Sequence, residues 1–389
     1  MPQAIRCVLM RGGTSKAVFL RENDIPADPE ARLRTILSIF GSPDRRQIDG
    51  LGGADPLTSK LAIIGPPRQD DPRAAGTHLT YTFGQVEIDH PDVDWLSLCG
   101  NISAAVGAFA IEEGMVAAAE PLTIVRVFNT NLNRILTIEV PVLGGRPAEY
   151  GDYEVAGVPG TGARILVDFA DTAGGATGAL LPTGNVVDSL DVPGIGPVEV
   201  SLVDIGNAHV FIRAADMGLT GTESTAEIDA QTELRQRLEL IRGAAAARMG
   251  MIADAARSRQ DSPATPILGL VAPPADYLNH LTGAAVPADA IDLVARLQFM
   301  QQTHKTYAGT STVCTGVAAR IPGTLVHAAA RHSAGAEIRI GHPGGVIETE
   351  TLVEAGPGGP VVRRATLGRT ARRILEGRVF IPSHAAAGA

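Results

Sequence analysis

The chain has 389 residues, of which 45% are hydrophobic and 19% are charged, and its formal net charge is −9. This length predicts two domains, and the composition is typical of a globular protein. The acidic balance, with no basic cluster of five residues, argues against nucleic-acid binding and against a polybasic membrane patch. No apolar run of about 18 residues predicts a transmembrane helix.

The cysteines and the N-terminal segment predict where the protein works. The first residues, "MPQAIRCVLMRGG", have no apolar core and no small-residue cleavage site, so we expect no secretory leader. Cys7, Cys99 and Cys314 form an odd and sparse set, which is a poor disulfide framework. We therefore expect free thiols and a cytoplasmic location. No CxxC or HExxH pattern is present, and we predict neither a metal nor a cofactor.

Short runs rich in β-branched residues predict many strands along the chain. In chain order they are "IRCVLM", "LTYTFGQVEI", "LTIVRVF", "RILTIEVPV", "RILVDFA", "VEVSLVDI" and "AEIRIG". The predicted helices are 29–40, 102–118, 224–247, 288–303 and 312–330. Strands and helices do not alternate strictly, so the pattern favours mixed or antiparallel sheets over a doubly wound parallel sheet.

The two halves of the sequence resemble each other. "MRGGTSKAVFLRENDIP" near the start is similar to "VDIGNAHVFIRAADMGL" at 203–219. Further on, "LCGNISAAVGAFAIEEG" is similar to "TVCTGVAARIPGTLVHAAA", so that each half places a cysteine before a small apolar helix. A strand with one arginine follows each helix, at Arg126 and at Arg339. We interpret these matches as an internal duplication.

The duplication predicts an α+β fold with two pseudo-symmetric domains. The first is expected at 1–185, completed by a C-terminal strand at 375–389, and the second at 186–374. The turn "PTGN" at 182–185 is the predicted linker. A helix that is apolar all round belongs in a core, so each domain is expected to be a sheet rolled around one central helix. We expect the two helix N-termini, with Cys99 and Cys314, to face one cavity between the domains.

The sequence "CGN" at 99–101 is the first candidate for chemistry. A helix N-terminus offers unpaired N–H groups and a partial positive charge, which favour a carboxylate ligand and the thiolate form of a cysteine. Gly100 and Asn101 predict a tight turn with an available amide. An equally open interpretation is that Cys99 is a small buried hydrophobe. That interpretation is favoured for Cys314, because no Gly-Asn pair follows it.

Lysine is the second candidate, because the chain holds 33 basic residues and only Lys16, Lys60 and Lys305 are lysines. Lys60 begins the apolar run "KLAII", and a desolvated lysine can act as a general base. The alternative is a lysine in a surface loop.

Two turns complete the candidates. "RGGTSK" at 11–16 lacks the P-loop spacing, but its hydroxyls and amides suit a carboxylate. "RIGHPGG" at 339–345 combines Arg339, His342 and two glycines at a strand end, although His342 can also be a packed turn histidine. Together these groups suit proton transfer on a polycarboxylate rather than hydride, phosphoryl or acyl transfer.

The combined motifs resemble the 2-methylaconitate cis-trans isomerase family, which also contains oxalomesaconate tautomerases and methylitaconate isomerases. The motifs are "RGGTSK", "GSPDRRQIDGLGGADPLTSKLAII", "CGNISAAVGAFAIEEGMV", "GALLPTGN", "RMGMI", "TPILGLVAPPADY", "ARIPGTLV" and "IRIGHPGG". The resemblance implies a fold similar to diaminopimelate epimerase. It also implies a cofactor-independent isomerase that moves a C=C double bond in an unsaturated di- or tricarboxylate, of the 2-methylaconitate or aconitate type.

The resemblance also implies roles for individual residues. Lys60 would be the base, and Cys99 would be the acid or would help to hold the substrate. The carboxylate site would be lined by Thr14, Ser15, Gly100 and Asn101, with His342 and Gly344 on the other side. The chain departs from the family pattern at Ala17, where glycine is usual, and at Leu98, where asparagine is usual. Both departures bear on the choice of substrate.

Three alternatives stay open at this point. The protein can be a 4-oxalomesaconate-type keto-acid tautomerase. It can be a two-cysteine amino-acid racemase or epimerase, which requires Cys99 and the possible second cleft thiol Cys314 to reach one carbon. It can also be a protein that binds a carboxylate without catalysis. The expected partner is a small polycarboxylate, and a homodimer is the default assembly.

Overall fold

The computed structural model describes residues 3–332 and 335–382. The helices are α1 (Pro29–Phe40), α2 (Gly100–Glu112), α3 (Thr225–Asp229), α4 (Thr232–Arg248), α5 (Ser258–Asp261), α6 (Gly309–Arg320) and α7 (Leu325–Ala329). The strands up to residue 168 are β1 (Gln3–Gly12), β2 (Ser15–Arg21), β3 (Lys60–Gly65), β4 (Leu79–Val86), β5 (Val93–Asp94), β6 (Leu122–Asn129), β7 (Arg134–Leu143), β8 (Arg146–Pro147), β9 (Tyr153–Glu154), β10 (Thr161–Gly162) and β11 (Ile165–Asp168). The later strands are β12 (Asp188–Val192), β13 (Gly196–Ile205), β14 (Asn207–Arg213), β15 (Ile267–Ala272), β16 (Tyr277–Leu278), β17 (Ala285–Val286), β18 (Leu293–Phe299), β19 (Gln302–Thr303), β20 (Glu337–His342), β21 (Gly345–Gly356), β22 (Gly359–Arg369) and β23 (Ala371–Ile381).

The chain divides into two compact units. The first unit runs to Val167 and resumes at Arg369, and the second unit is Asp168–Gly368. Part of the C-terminal strand expected at 375–389 lies in β23, which pairs antiparallel with β1 in the first unit. Residues 383–389 of that expected strand lie outside the described residues. The domain boundary expected near residue 186 stays a prediction.

In the first unit a mixed sheet is rolled around helix α2. Its strands pair in the order β23–β1–β2–β3–β4–β6–β7, with parallel pairs at β2/β3 and β4/β6. Every residue of α2 from Gly100 to Ile111 is buried, and the helix contacts strands from both ends of this order. At Gly107 an added Cβ would lie 2.7 Å from Ile138 and from Val140 of β7. The sequence is apolar all round because the sheet surrounds the helix.

Helix α1 covers the opposite face of the same sheet. Its N-cap Asp28 accepts a hydrogen bond from the Ala31 amide, and Gly41 ends the helix in the left-handed conformation. Ile36, Ile39 and Phe40 of α1 pack on side chains from β1, β2 and β3. Cys7 belongs to this cluster and is buried, as its place in a predicted strand indicates.

The second unit repeats the pattern of the first. Its strands pair in the order β12–β13–β14–β15–β18–β20–β21, with parallel pairs at β14/β15 and β18/β20. Residues Gly309–Ala319 of α6 are all buried, and Gly316 approaches Thr349 and Thr351 of β21 as closely as Gly107 approaches β7. Two units with one strand order and one buried helix each confirm the predicted fold class.

Four predicted helices differ from the structure. The helix predicted at 102–118 is α2, which begins at Gly100 and ends at Glu112, so the prediction extends six residues too far. The segment predicted at 224–247 forms α3 and α4, and the one predicted at 312–330 forms α6 and α7, interrupted by "IPG" at 321–323. The helix predicted at 288–303 is wrong, because strand β18 (Leu293–Phe299) occupies its centre and lies between β15 and β20. An apolar run that is buried on both faces shows no period that separates strand from helix. Among the described residues, no helix has the length and apolar character needed to cross a membrane.

Candidate active site

Cys99 occupies the N-cap of α2, the position that the sequence predicted for it. Its backbone is extended (φ −109°, ψ 104°), and within the described chain its side chain makes no capping hydrogen bond to the helix. The residue is half-buried, whereas Cys7 and Cys314 are buried. The thiol therefore lies beside the unpaired N–H groups of the first helical turn, and it is not occupied in capping them.

The turn between β1 and β2 meets the same helix end. Asn101 donates from Nδ2 to the Thr14 hydroxyl (3.0 Å) and to the Ser15 hydroxyl (3.3 Å). Gly13 has φ +49°, and an added Cβ there would lie 2.2 Å from the Asn101 side-chain oxygen. The glycine of "RGGTS" is therefore required by both backbone conformation and space. This turn brings Thr14, Ser15, Gly100 and Asn101 together with Cys99.

A buried arginine that the sequence analysis missed completes this cluster. Arg369 is 2% exposed, and its Nε donates to the Asn101 side-chain oxygen at 2.7 Å. Burial lowers the pKa of Arg369 to about 10, and the neighbouring charges of Tyr153 and Cys99 oppose that shift. At neutral pH the guanidinium is a buried cation next to the helix N-terminus.

Lys60 begins β3 and is 5% exposed, so the prediction of a buried lysine is confirmed. Its Nζ donates to Oε1 of Gln85 at 2.5 Å and lies 5.3 Å from the centre of the Phe83 ring. Gln85 is held in turn, because its Nε2 donates to the carbonyls of Pro56 and Ser59, each at 3.1 Å. The amide oxygen of Gln85 is thereby turned toward the amine.

Strand register places Lys60 on the sheet face that carries the Thr14–Ser15 turn. Lys60 lies opposite Ala17 of β2 and opposite Gln85 of β4. Side chains alternate between faces, so Ser15 and Ala17 point to one side, and paired residues share it. Lys60 is thus one strand across and two residues along from Ser15, roughly 8 Å away on strand spacings. Phe19 on the same face contacts Phe109 of α2, with ring centres 5.1 Å apart.

Tyr81 also lies close to the thiol. It is fully buried on β4, on the same face as Phe83 and Gln85. Burial raises the pKa of Tyr81 well above its usual value, and the charge of Cys99 raises it further. The phenol therefore stays protonated beside the cysteine.

His342 and Gly344 lie in the second unit and contact each other. His342 ends β20 with 1% exposure, and its Nδ1 accepts a hydrogen bond from the Gly344 amide at 3.0 Å. Tyr277 donates to the His342 carbonyl at 2.9 Å. The structure thus gives both residues a packed place in the core of their own unit, and their part in substrate binding stays a prediction.

The comparison of the two halves predicted Cys314 before its helix, which is wrong, whereas the helix predicted at 312–330 already contained it. Cys314 lies within α6 and is fully buried, and its Sγ contacts the Val203 carbonyl at 3.7 Å. Burial raises the pKa of Cys314 well above its usual value, and Asp204 raises it further. The N-cap of α6 is Ala308. The error arose because "TVC" was aligned with "SLC", whereas Gly309 is the residue that begins the helix as Gly100 does.

The described residues contain no group of three His, Cys, Asp or Glu side chains placed to hold a metal ion. The polar groups around α2 are hydroxyls, amides, a guanidinium, an amine and a thiol. Such a set suits a carboxylate ligand and proton transfer.

Comparison with known proteins identifies the family. The family described as PrpF protein matches residues 3–382. The chain belongs to this family. It is 50% identical to 3-methylitaconate isomerase of Eubacterium barkeri, over 97% of each chain. It is 39% identical to 2-methyl-aconitate isomerase of Shewanella oneidensis, again over 97% of each chain.

Solved structures agree with the sequence relatives of this PrpF family member. A crystal structure of methylitaconate-delta-isomerase matches with a TM-score of 0.84 and 49% identity, covering 100% of this chain and 98% of the other. A probable proline racemase from Agrobacterium radiobacter K84 matches with a TM-score of 0.54 and 13% identity, over 99% and 96%. This second likeness concerns the fold alone, and it supports the predicted epimerase-like architecture.

Proposed function

We propose that this protein moves the C=C double bond of an unsaturated di- or tricarboxylate by taking a proton from one carbon and returning one to another. The observation that carries the proposal is a buried Lys60 on the sheet face that packs against α2, whose N-cap is the half-buried Cys99. A base, an acid and a carboxylate site are the groups that an allylic proton shift requires. The family membership and the isomerase names of its relatives support the same reaction class.

The substrate that we propose first is a dicarboxylate of the 3-methylitaconate type. The relative named for that compound shares 50% of its residues with this chain, against 39% for the relative named for 2-methylaconitate. The tricarboxylate is therefore the second candidate, and an oxalomesaconate-type keto acid is the third. Ala17 and Leu98 lie beside the candidate site, and we expect them to contribute to this choice.

The reaction on 3-methylitaconate can be written with the chain's own groups. The Lys60 amine removes the proton from the carbon that bears the methyl group, where the carboxylate and the double bond both stabilise the resulting negative charge. The double bond moves to that carbon, and the methylene end takes a proton from the Cys99 thiol to become a second methyl group. One proton is lost and one is gained, so the reaction needs no redox cofactor.

The carboxylate next to the reacting carbons is proposed to lie at the N-terminus of α2. Thr14, Ser15, Gly100 and Asn101 surround this helix end, where N–H groups and the helix dipole favour an anion. His342 and Gly344 are proposed as substrate-binding residues on the strength of the family resemblance. No role in the reaction is proposed for Cys314. A cytoplasmic location is proposed because all three cysteines are free, and a homodimer is proposed as the default assembly.

Proton exchange tests the proposal directly. The protein would be incubated in deuterated water with 3-methylitaconate, 2-methylaconitate and oxalomesaconate, and deuterium incorporation would be followed by NMR. We expect exchange and double-bond migration fastest with 3-methylitaconate, and neither with a Lys60→Met control. Absence of exchange with all three compounds, in protein that binds a dicarboxylate, would favour a binding protein over an isomerase.

A further inference from the structure

We propose that Arg369 is a positioning residue that makes Thr14 and Ser15 hydrogen-bond donors toward a substrate carboxylate. This inference rests on the proposed function, because it assumes that the carboxylate binds at the N-terminus of α2. Arg369 would act through Asn101, without a covalent or proton-transfer role of its own.

The argument begins with the side-chain amide of Asn101. A guanidinium has donors only, so the Asn101 atom that faces Nε of Arg369 at 2.7 Å must be the oxygen. The amide NH₂ group of Asn101 then faces the hydroxyls of Thr14 and Ser15. Arg369 therefore fixes which end of the amide meets the two hydroxyls.

The orientation of the amide decides what the hydroxyls can do. Each hydroxyl oxygen accepts from Nδ2, so its own hydrogen remains available for another acceptor. With the amide reversed, both hydroxyls would donate to the Asn101 oxygen and would be lost as donors. A carboxylate accepts hydrogen bonds and cannot donate them, so only the orientation set by Arg369 suits it.

The surroundings hold this arrangement in place. Ser15, Asn101 and Arg369 are each at most 3% exposed, so water does not readily replace one partner. Gly13 leaves no spare room, because an added Cβ would lie 2.7 Å from Cδ of Arg369. Arg369 is the last residue of β22, and only Thr370 separates it from β23, whose first residue Ala371 pairs with Gly12 beside the turn that carries the hydroxyls.

A double-mutant cycle tests the role of Arg369 in the full-length protein. One arm is Arg369→Lys, which keeps the charge but places the Cε methylene where Nε of Arg369 donates to Asn101, and the other is the shape-conserving pair Thr14→Val and Ser15→Ala. The readouts are kcat and KM for 3-methylitaconate and the Kd of succinate, a dicarboxylate that cannot isomerise. We expect Arg369→Lys to raise KM and Kd about tenfold, with a smaller change in kcat. In the background without the hydroxyls, we expect it to change both values less than twofold.

Arg11 supplies the matched control. It donates to the carbonyls of Gly13 and Thr370 at the same turn, and we expect Arg11→Lys to leave KM and Kd within twofold of the wild-type values. An Arg369→Lys effect that is equal in both backgrounds, or a Kd within twofold of wild type, would overturn the proposal.

A second variant covers the case in which Arg369→Lys does not fold, as judged by circular dichroism. Asn101→Asp still accepts from Arg369, but it has no donor for the hydroxyls, which then donate to it. The added negative charge weakens succinate binding in either background, so we expect the loss to be about tenfold larger where Thr14 and Ser15 are kept than in the Thr14→Val, Ser15→Ala background. Unchanged succinate binding by Asn101→Asp would overturn the proposal that the Asn101 amide orients the two hydroxyls. Succinate binding requires no turnover, so this result is independent of whether the isomerase proposal holds.

Discussion

The first turns of α2 and α6 occupy equivalent places in two units of the same design, but they carry different chemistry. Gly107 and Gly316 approach β7 and β21 in the same way, and each lies seven positions after the first residue of its helix. This alignment matches Cys99 with Ala308, and Asn101 with Thr310. The N-cap side chain is a thiol in the first unit and a methyl group in the second.

The strands beside the two helices also differ, because only the first unit has a lysine at the equivalent strand position. In the first unit Ala17 of β2 lies opposite Lys60, and in the second His209 of β14 lies opposite Ile267. Ala17 and His209 each precede a Val-Phe pair, so Ile267 takes the place of Lys60. His209 fills the space toward α6, with its Nε2 2.7 Å from the Ser311 hydroxyl. The duplicated fold therefore has the proposed catalytic groups at one helix end and packed side chains at the other.

The largest expected effect comes from removing the lysine that distinguishes the first unit. We expect Lys60→Met to lower kcat/KM for 3-methylitaconate by about 1,000-fold, because the loss of a general base costs that order of rate. The measurement is a steady-state assay on protein checked for folding. Lys16→Met is the control, since Lys16 is on the opposite face of β2, and it is expected to stay within twofold of wild type. A small effect of Lys60→Met would assign the base elsewhere.

The C-terminal end of α2 contributes to stability through a carboxylate that three arginines share. Glu113, next to the C-terminus of α2, binds arginines of three strands: Arg6, Arg21 and Arg373. Burial alone would raise its pKa, but the hydrogen bonds from these arginines lower the pKa of Glu113 to about 2. The stabilisation from the carboxylate is therefore present above its unfolded pKa and is lost as the pH falls toward 2.

We expect Glu113→Gln to lower the free energy of unfolding by about 3 kcal/mol, since it leaves the guanidinium groups without their shared anion. Urea unfolding at pH 7 measures this loss. Glu376→Gln is the matched control, because Glu376 binds the same Arg373 but is exposed, and it should cost less than about 1 kcal/mol. Similar losses of unfolding free energy in both variants would mean that the buried ion pairs of Glu113 stabilise the protein no more than an exposed ion pair does.

The cysteines test whether the two helices differ in reactivity. We expect iodoacetamide to modify Cys99 at least about 100-fold faster than Cys314 under native conditions, because Cys99 is half-buried at an N-cap and burial raises the pKa of the Cys314 thiol. Peptide mass spectrometry over time gives both rates in one sample. Added succinate should slow only the reaction of Cys99. Equal rates would place Cys314 at an accessible site and would revive the two-cysteine racemase.

Local patterns in the sequence predicted the features that depend on local structure. The helix at 29–40 agrees with α1 at both ends, because its cap residues lie next to it in the chain. Lys60 and Cys99 were found because a lysine before "LAII" and a cysteine before Gly-Asn are unusual in themselves. The duplication was visible because both copies keep their turns and their strand-borne arginines.

The features that the sequence did not reveal depend on contacts between distant segments. Arg369 is 268 positions from Asn101, and its "LGRTARR" context resembles any exposed basic strand. Gln85 looks like one polar residue of an alternating strand until the register places it opposite Lys60. The misalignment of Cys314 has the same origin, since the correspondence of Gly316 on β21 with Gly107 on β7 depends on contacts between distant segments.

The smallest expected effect is on the pH dependence of stability, and it comes from the buried His209 beside α6. Burial lowers the pKa of His209 to about 4, and its hydrogen bond to Asn207 only partly opposes this. Between pH 6.5 and 4 the unfolded chain binds a proton that the folded chain does not, so His209 makes the protein less stable as the pH falls through this range. The slope from one such group is at most about 1.4 kcal/mol per pH unit.

We therefore expect His209→Gln to reduce the slope of unfolding free energy against pH between 6.5 and 4 by the contribution of about one proton. This expectation does not depend on how much stability the variant loses at pH 7. Urea unfolding at half-unit pH steps measures the slope. His90→Gln, at an exposed histidine of the first unit, should leave the slope unchanged. An unaltered slope in His209→Gln would mean that His209 accepts a proton in the folded protein. The second helix end would then carry a titrating group rather than a neutral, packed one, and the contrast with α2 would weaken.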